Sequence, residues 1–188
     1  MQDMKYDDDY GSSDFCSCTG PEIVNDISNG CRQALLTEYY KATMKMLEAG
    51  TEDRISFALI NPKESGVNVY IRRIYAMNHS VLPLSLITYF AGKVGGNIEI
   101  AEWIRNTNTY HFREESRINV YFGRNLLLKG CRADARSSVP AYQTAITDIN
   151  GEILIAPGCS YVAELTSLIL GESFAAAVSA EWWEEPVR

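Results

Sequence analysis

From Arg54 to Glu185 the chain breaks into short runs in which apolar residues fall at alternate positions, and each run ends at a turn signal. RISFALINP stops at Asn61-Pro62, and Lys63 to Gly66 make a turn. VNVYIRRIYAMN alternates through Val67, Val69 and Ile71 and then, after a shift, through Ile74 and Ala76. LPLSLITYFAG is followed by a turn at Gly95-Gly96-Asn97. NIEIAEWI carries Ile98 and Ile100 before Trp103-Ile104, and RINVYFG carries Ile118, Val120 and Phe122. TAITD and EILIA flank Asn150-Gly151, a pair that favours a hairpin turn because both residues tolerate positive φ. SYVAELTSLI and SFAAAVSAEWWEE follow Pro157-Gly158. A period of two sends successive side chains to opposite faces of a sheet. Some eight or nine such runs, separated by turns, predict an all-β fold, a jelly roll or β-sandwich.

The remaining segments are less regular. Residues 1–30 are polar and acidic, with Asp, Ser and Gly but no periodicity, and read as an extended N-terminal connector arm on a body spanning 31–188. Within the arm, Ile23, Val24 and Ile27 form a short apolar patch fit to dock on the body or on a neighbour. From Gln33 to Ala49 two periods compete. Leu35, Leu36, Tyr39, Tyr40, Thr43, Met44 and Leu47 fit a helical stripe, while Tyr40, Ala42, Met44 and Met46 alternate as in a strand. The β-rich continuation favours a strand for the second half.

A net charge of −7 argues against a nucleic-acid surface, which needs clustered Lys and Arg. The basic residues Arg72-Arg73, Arg124, Lys129, Arg132 and Arg136 read as solvated or paired with carboxylates. No run approaches the ~20 apolar residues of a membrane helix. The opening MQDMKYDDDYGSSD has no basic stretch followed by an apolar one, so no secretory signal peptide is expected.

Catalytic chemistry is not legible, and the expectation is a protein that is not an enzyme and needs no cofactor. His79 sits in a turn. His111 lies near Glu114 and Glu115, but a loop histidine beside carboxylates is ordinarily solvated, and no metal is expected. AGKVGGN has its lysine before the glycine pair, so it reads as a turn rather than a phosphate loop. Asp7-Asp8-Asp9 lacks the spaced ligands of a calcium loop. Asn78-His79-Ser80 matches a glycosylation sequon, and no nucleophile-elbow motif is present.

The cysteines give a sharper signal. Cys16 and Cys18 lie in the acidic arm, Cys31 follows it, and Cys131 and Cys159 lie in the β body. Five is an odd number, so one thiol stays free or pairs with another chain. For Cys131 and Cys159 two readings stand, small buried hydrophobes or thiols that another chain can reach. Trp182 and Trp183, adjacent in a strand, face opposite sides. One fills the core and the other meets solvent or a partner, which makes the pair candidate interface aromatics. Glu181, Glu184 and Glu185 around them would discourage edge pairing.

INPKESGVNVYIRRIYAMN resembles a segment of jelly-roll proteins of phage virions and bacterial surface fibres, and ILIAPGCSYVAEL with AAVSAEWWEE fits the same pattern. The Cys-x-Cys arm before such a body is similar to the N-terminal connectors of endospore-appendage pilins. That resemblance implies a self-assembling fibre subunit at the spore surface or outside the cell. Its arm is inserted into the neighbouring copy and held there by disulfides. Cys16 and Cys18 would be the connector thiols, Cys131 and Cys159 the acceptors, and Cys31 a third arm thiol. The implied partners are further copies of the chain, as an oligomer or helical polymer, and an anchoring surface protein, with no nucleic acid and no membrane. Two alternatives are a virion protein forming closed oligomers, and a carbohydrate-binding sandwich with Tyr and Trp stacking platforms.

Overall fold

The alternating runs become strands. A computed structural model describes residues 38–50, 52–101, 104–106, 115–169 and 172–187, and all the regular elements among them are β. They are β1 (Glu38–Thr43), β2 (Leu47–Ala49), β3 (Arg54–Ile60), β4 (Val67–Asn78), β5 (Leu84–Ala91), β6 (Lys93–Gly95) and β7 (Glu99–Ile100). Then come β8 (Ile104–Asn106), β9 (Asn119–Arg124), β10 (Leu127–Lys129), β11 (Arg132–Val139), β12 (Thr144–Ile155), β13 (Ser160–Ser167) and β14 (Phe174–Pro186). The ambiguous stretch before Gly50 resolves as strand over β1 and β2, where the described residues begin. The predicted arm, residues 1–30, lies outside them.

Four antiparallel pairings define the topology. β1 lies beside β14, β3 beside β13, β4 beside β12 and β5 beside β11. The chain therefore goes out through β1, β3, β4 and β5 and comes back along its own path through β11 to β14. This double ribbon is rolled so that its pairs fall alternately into two sheets, which is the connectivity of a jelly roll. The first sheet runs β12-β4-β14-β1-β8, with β2 also on β14, and the second runs β11-β5-β13-β3-β9-β7. Of the eight strands in these four pairings, the alternating runs account for β3, β4, β5, β13 and β14 and, as two runs, for β12; two further runs fall on β7 and β9, and β11, whose RADARSSV has no apolar alternation, is not among them. The six others are short or lie in the excursion between β5 and β11. Of these, β6 and β10 pair with each other as a separate ribbon.

The core fills the space between the sheets with Trp182, Tyr40, Phe57, Ile55, Leu59, Ile71, Leu84, Leu165 and Ile155, all under 2% exposed. Trp182 stacks on Tyr40 at 5.8 Å between centroids. A second, smaller cluster forms on the outer face of the second sheet. There Ala58, Ala91, Leu126 and Val162 pack with Val94 and Leu128 of the β6–β10 ribbon.

The parity shift in VNVYIRRIYAMN has a structural cause. Ile71 lies opposite Trp182 and Arg73 opposite Glu181, so Arg72 is an extra residue, a bulge that turns two arginines to the outer face. Across from it, β12 carries a larger irregularity. Asp148 pairs with Arg73 and Ile153 with Ile71, leaving Ile149 to Glu152 as an excursion within one strand. The predicted Asn150-Gly151 turn exists, with φ of 52° and 85°, but both of its arms pair with β4 rather than with each other.

That excursion corrects the reading of the tryptophans. Trp182 is wholly buried in the core, and Trp183, on the outer face, is only 6% exposed because the Asn150-Gly151 corner lies on its ring. Neither offers an indole to a partner in this chain. The acidic residues around them are not edge guards either, since β14 is central, flanked by β4 and β1. Glu184 is buried and accepts hydrogen bonds from the Ser116 hydroxyl (2.6 Å), the Arg117 amide (3.1 Å) and the Trp182 indole (3.1 Å), tying the segment before β9 to the core.

Candidate functional site

The most exposed of the long strands is β11, RADARSSV, in which every residue but Val139 is exposed. It is the outermost strand of its sheet, so one of its backbone edges pairs with β5 and the other pairs with no described strand. The neighbouring rim of the first sheet is likewise an edge, β12. An unpaired edge is a template for another chain. Here it carries Arg132, Asp134 and Arg136, and it is interrupted by a register shift between Ala133 and Ala135. At the shift Asp134, still exposed at the rim, accepts from the Tyr161 hydroxyl at 2.7 Å and the Thr88 hydroxyl at 3.5 Å. Burial, followed by that hydrogen bond, pushes the Tyr161 phenol well above its usual range. A gap of about 100 Å³ opens at this rim between Leu86, Tyr161, Ile149 and Ile153.

Cys131 and Cys159 are both exposed and both free. The register places them at the same end of the second sheet. Arg132 of β11 and Tyr161 of β13 both sit opposite Phe90 of β5, and each cysteine precedes its row by one or two residues. A tight turn fixes Cys159, with its amide donating to Ala156 O at 3.0 Å and its carbonyl accepting from the Asn61 amide at 3.0 Å. Strands two positions apart in a sheet run about 10 Å from each other, beyond the ~7 Å reach of a disulfide, and both thiols are free in the protomer. Cys16, Cys18 and Cys31 lie outside the described residues.

The outer face of the first sheet holds the densest polar cluster, which sequence reading missed. Glu181 accepts from the Tyr75 hydroxyl (2.8 Å), the Tyr39 hydroxyl (3.0 Å) and Lys41 Nζ (3.3 Å), with Arg72 Nη1 at 3.6 Å. Arg72 also donates to the Tyr39 hydroxyl at 2.9 Å, and Arg73 pairs with Asp148. Burial raises the Glu181 carboxyl, but the hydrogen bonds from Tyr75, Tyr39 and Lys41, with the Lys41 charge, outweigh it and hold the group below its usual range. Burial is also the main reason the Tyr39 phenol is pushed up to about 12. Every carboxylate and cation here has a partner, so the cluster is a fastening between β1, β4 and β14. The carboxylate pairing expected of Arg72-Arg73 is present; the adjacent arginines with a parity shift were its sequence signal.

Other sequence candidates resolve simply. Asn78 is 3% exposed, and its amide donates to the carbonyls of Leu82 (2.7 Å), Pro140 (3.0 Å) and Val139 (3.2 Å), which closes the sequon to modification in the folded chain. His79 is exposed in the following turn, Glu115 is exposed, and His111 and Glu114 lie outside the described residues. Gly95 ends β6, and Gly96, at φ 100°, turns the chain beside β10, so AGKVGGN is structural. Among the described residues no group of three or more His, Cys, Asp or Glu is placed to hold a metal, and no helix is long and apolar enough to cross a membrane.

The model of a family of unknown function, DUF6143, matches residues 18–188. The chain belongs to that family. No curated protein and no solved structure matches it. The DUF6143 span takes in Cys18, Cys31, Cys131 and Cys159, so both exposed thiols of the body, β11 and the closing strand β14 fall within it.

Proposed function

We propose that this protein is a structural subunit that assembles into a fibre outside the cell or on a spore surface, each copy sending its N-terminal arm to a neighbour where disulfides fasten it. The observation that carries this reading is the pair of exposed thiols, Cys131 and Cys159, at one end of a sheet whose outermost strand, β11, has an outer edge that pairs with no described strand. Both are free in the protomer, so each is available to a cysteine from elsewhere; the arm carries two, Cys16 and Cys18, and Cys31 follows directly. An extended arm laid along β11 gains main-chain hydrogen bonds in the manner of strand addition. Each bridge joins two thiol sulfurs, with two protons and two electrons passing to an oxidant such as dioxygen. A head-to-tail contact that does not close generates an open filament.

The test is electrophoresis of air-oxidised protein with and without reductant, beside imaging of the same sample. The expected result is a ladder without reductant that collapses to monomer with it, and loses most of its rungs in the Cys131→Ser/Cys159→Ser double variant. Monomer in both lanes contradicts the proposal, and reducible rings in place of filaments favour the virion alternative.

A further inference from the structure

At the end of the second sheet away from the cysteines, the register aligns three hydroxyl residues across three strands. Ser85 of β5 lies opposite both Ser138 of β11 and Thr166 of β13. Residues in register on antiparallel strands point to one face with Cβ atoms about 5 Å apart, so these form a row. Two positions along β11 on that face stands Arg136, opposite Ile87. Together with Ser137, Ser167 and Leu168 they line an open groove of about 460 Å³.

Two features separate this groove from an ordinary polar surface. Ser85 is only 3% exposed as a residue and lines the groove, and no hydrogen bond ties its hydroxyl to another described residue. Arg136 is exposed and forms no ion pair with any described carboxylate. The nearest acid on this face, Glu164, is 1% exposed and occupied by the Ser56 hydroxyl (3.1 Å) and Arg54. The Asp134 carboxylate is engaged by the Tyr161 hydroxyl at 2.7 Å.

The lining decides the ligand class. It contains no carboxylate, which removes a cation, and no aromatic ring, which removes the stacking face a neutral sugar uses. What remains is a guanidinium and a row of hydroxyl donors, the complement of an oxyanion. We infer that this groove binds a tetrahedral oxyanion, phosphate or sulfate, through Arg136 and the hydroxyls of Ser85, Ser138 and Thr166. The groove exceeds the size of a free ion, which suits an oxyanion carried as an ester on a larger molecule. The inference does not depend on fibre assembly.

The test is equilibrium dialysis of the full chain against radiolabelled inorganic phosphate at low salt, a readout that works for monomer and polymer alike. Unlabelled sulfate and glycerol phosphate serve as competitors. The expected result is one saturable site per chain, with affinity lowered about tenfold in Arg136→Gln and several-fold in Ser85→Ala, as for lost charged hydrogen bonds. Arg132→Gln, four residues away on the same strand, leaves it unchanged. Tighter competition by glycerol phosphate than by free phosphate identifies an ester as the natural form, and equal competition a free ion. No saturable binding, or equal weakening by Arg132→Gln and Arg136→Gln, overturns the inference.

Discussion

Trp183 lies flat on Tyr70, centroids 5.4 Å apart and planes 9° from parallel, beneath the corner at Gly151. An outward-facing tryptophan is thus sealed by an irregularity in the neighbouring strand but one. The seal depends on glycine for two reasons. Its φ is 85°, and a Cβ there would run into the six-membered ring of Trp183. Gly151→Ala is expected to destabilise the fold by about 3 kcal/mol, adding overlap to left-handed strain. Gly66→Ala, at φ 68° with open space around it, carries the strain alone, about 1–2 kcal/mol. Urea denaturation followed by tryptophan fluorescence compares the two.

Glu181 gives the fold an acid-sensitive fastening. Its carboxyl is held below the 4.5 of an unperturbed group. The unfolded chain therefore takes up the proton first, and this contribution is complete above pH 4.5 and lost as pH falls through the lower, folded value. Glu181→Gln is expected to cost about 2 kcal/mol at neutral pH, through weakened charged hydrogen bonds. It should also flatten the acid limb of stability against pH. An acid limb unchanged in the variant would place the sensitive group elsewhere.

At the alkaline end the sign reverses. Tyr39 ionises near 12 in the fold against 10.0 in the free side chain, so the unfolded chain loses its proton first. The stabilisation is complete below pH 10 and declines as pH rises toward 12. Tyr161, raised chiefly by burial, acts in the same direction. Tyr39→Phe is expected to show a shallower alkaline decline in denaturant midpoint, with one fewer late-titrating phenol by ultraviolet difference absorbance.

Asn78 closes the link between β4 and the turns at Leu82 and Pro140 through donors alone on its amide nitrogen, while its oxygen accepts from the Ser80 amide at 2.9 Å. Asn78→Asp replaces those donors with a buried charge facing carbonyls. The expected loss is about 3 kcal/mol or more. Expression in a host that glycosylates should leave the mass of the folded chain unchanged.

Period-two alternation made most strands of the rolled ribbon legible, including the shift at Arg72 that proved to be a bulge, but not β11, whose RADARSSV is polar and exposed on both faces up to Val139. Asn150-Gly151 was read as a turn correctly but as a hairpin wrongly, because a dipeptide fixes local φ and not which strand its arms join. The same excursion hid Trp183, since alternation assigns a face and says nothing of what lies over it. The hydroxyl row could not be seen either. Ser85, Ser138 and Thr166 are far apart in the chain and meet only through the register of β11, β5 and β13. Exposure of Cys131 and Cys159 likewise follows from the ends of strands rather than from their neighbours in sequence.

Cross-linking between copies is tested most directly with two preparations of the chain, one grown on light nitrogen and one on heavy. They are mixed reduced, oxidised together, digested and mapped by mass spectrometry. The proposed assembly predicts disulfide-linked peptides that join Cys16, Cys18 or Cys31 of one isotope to Cys131 or Cys159 of the other. Assembled material whose disulfides all lie within one isotope, or whose Cys131 and Cys159 remain free thiols, would contradict it.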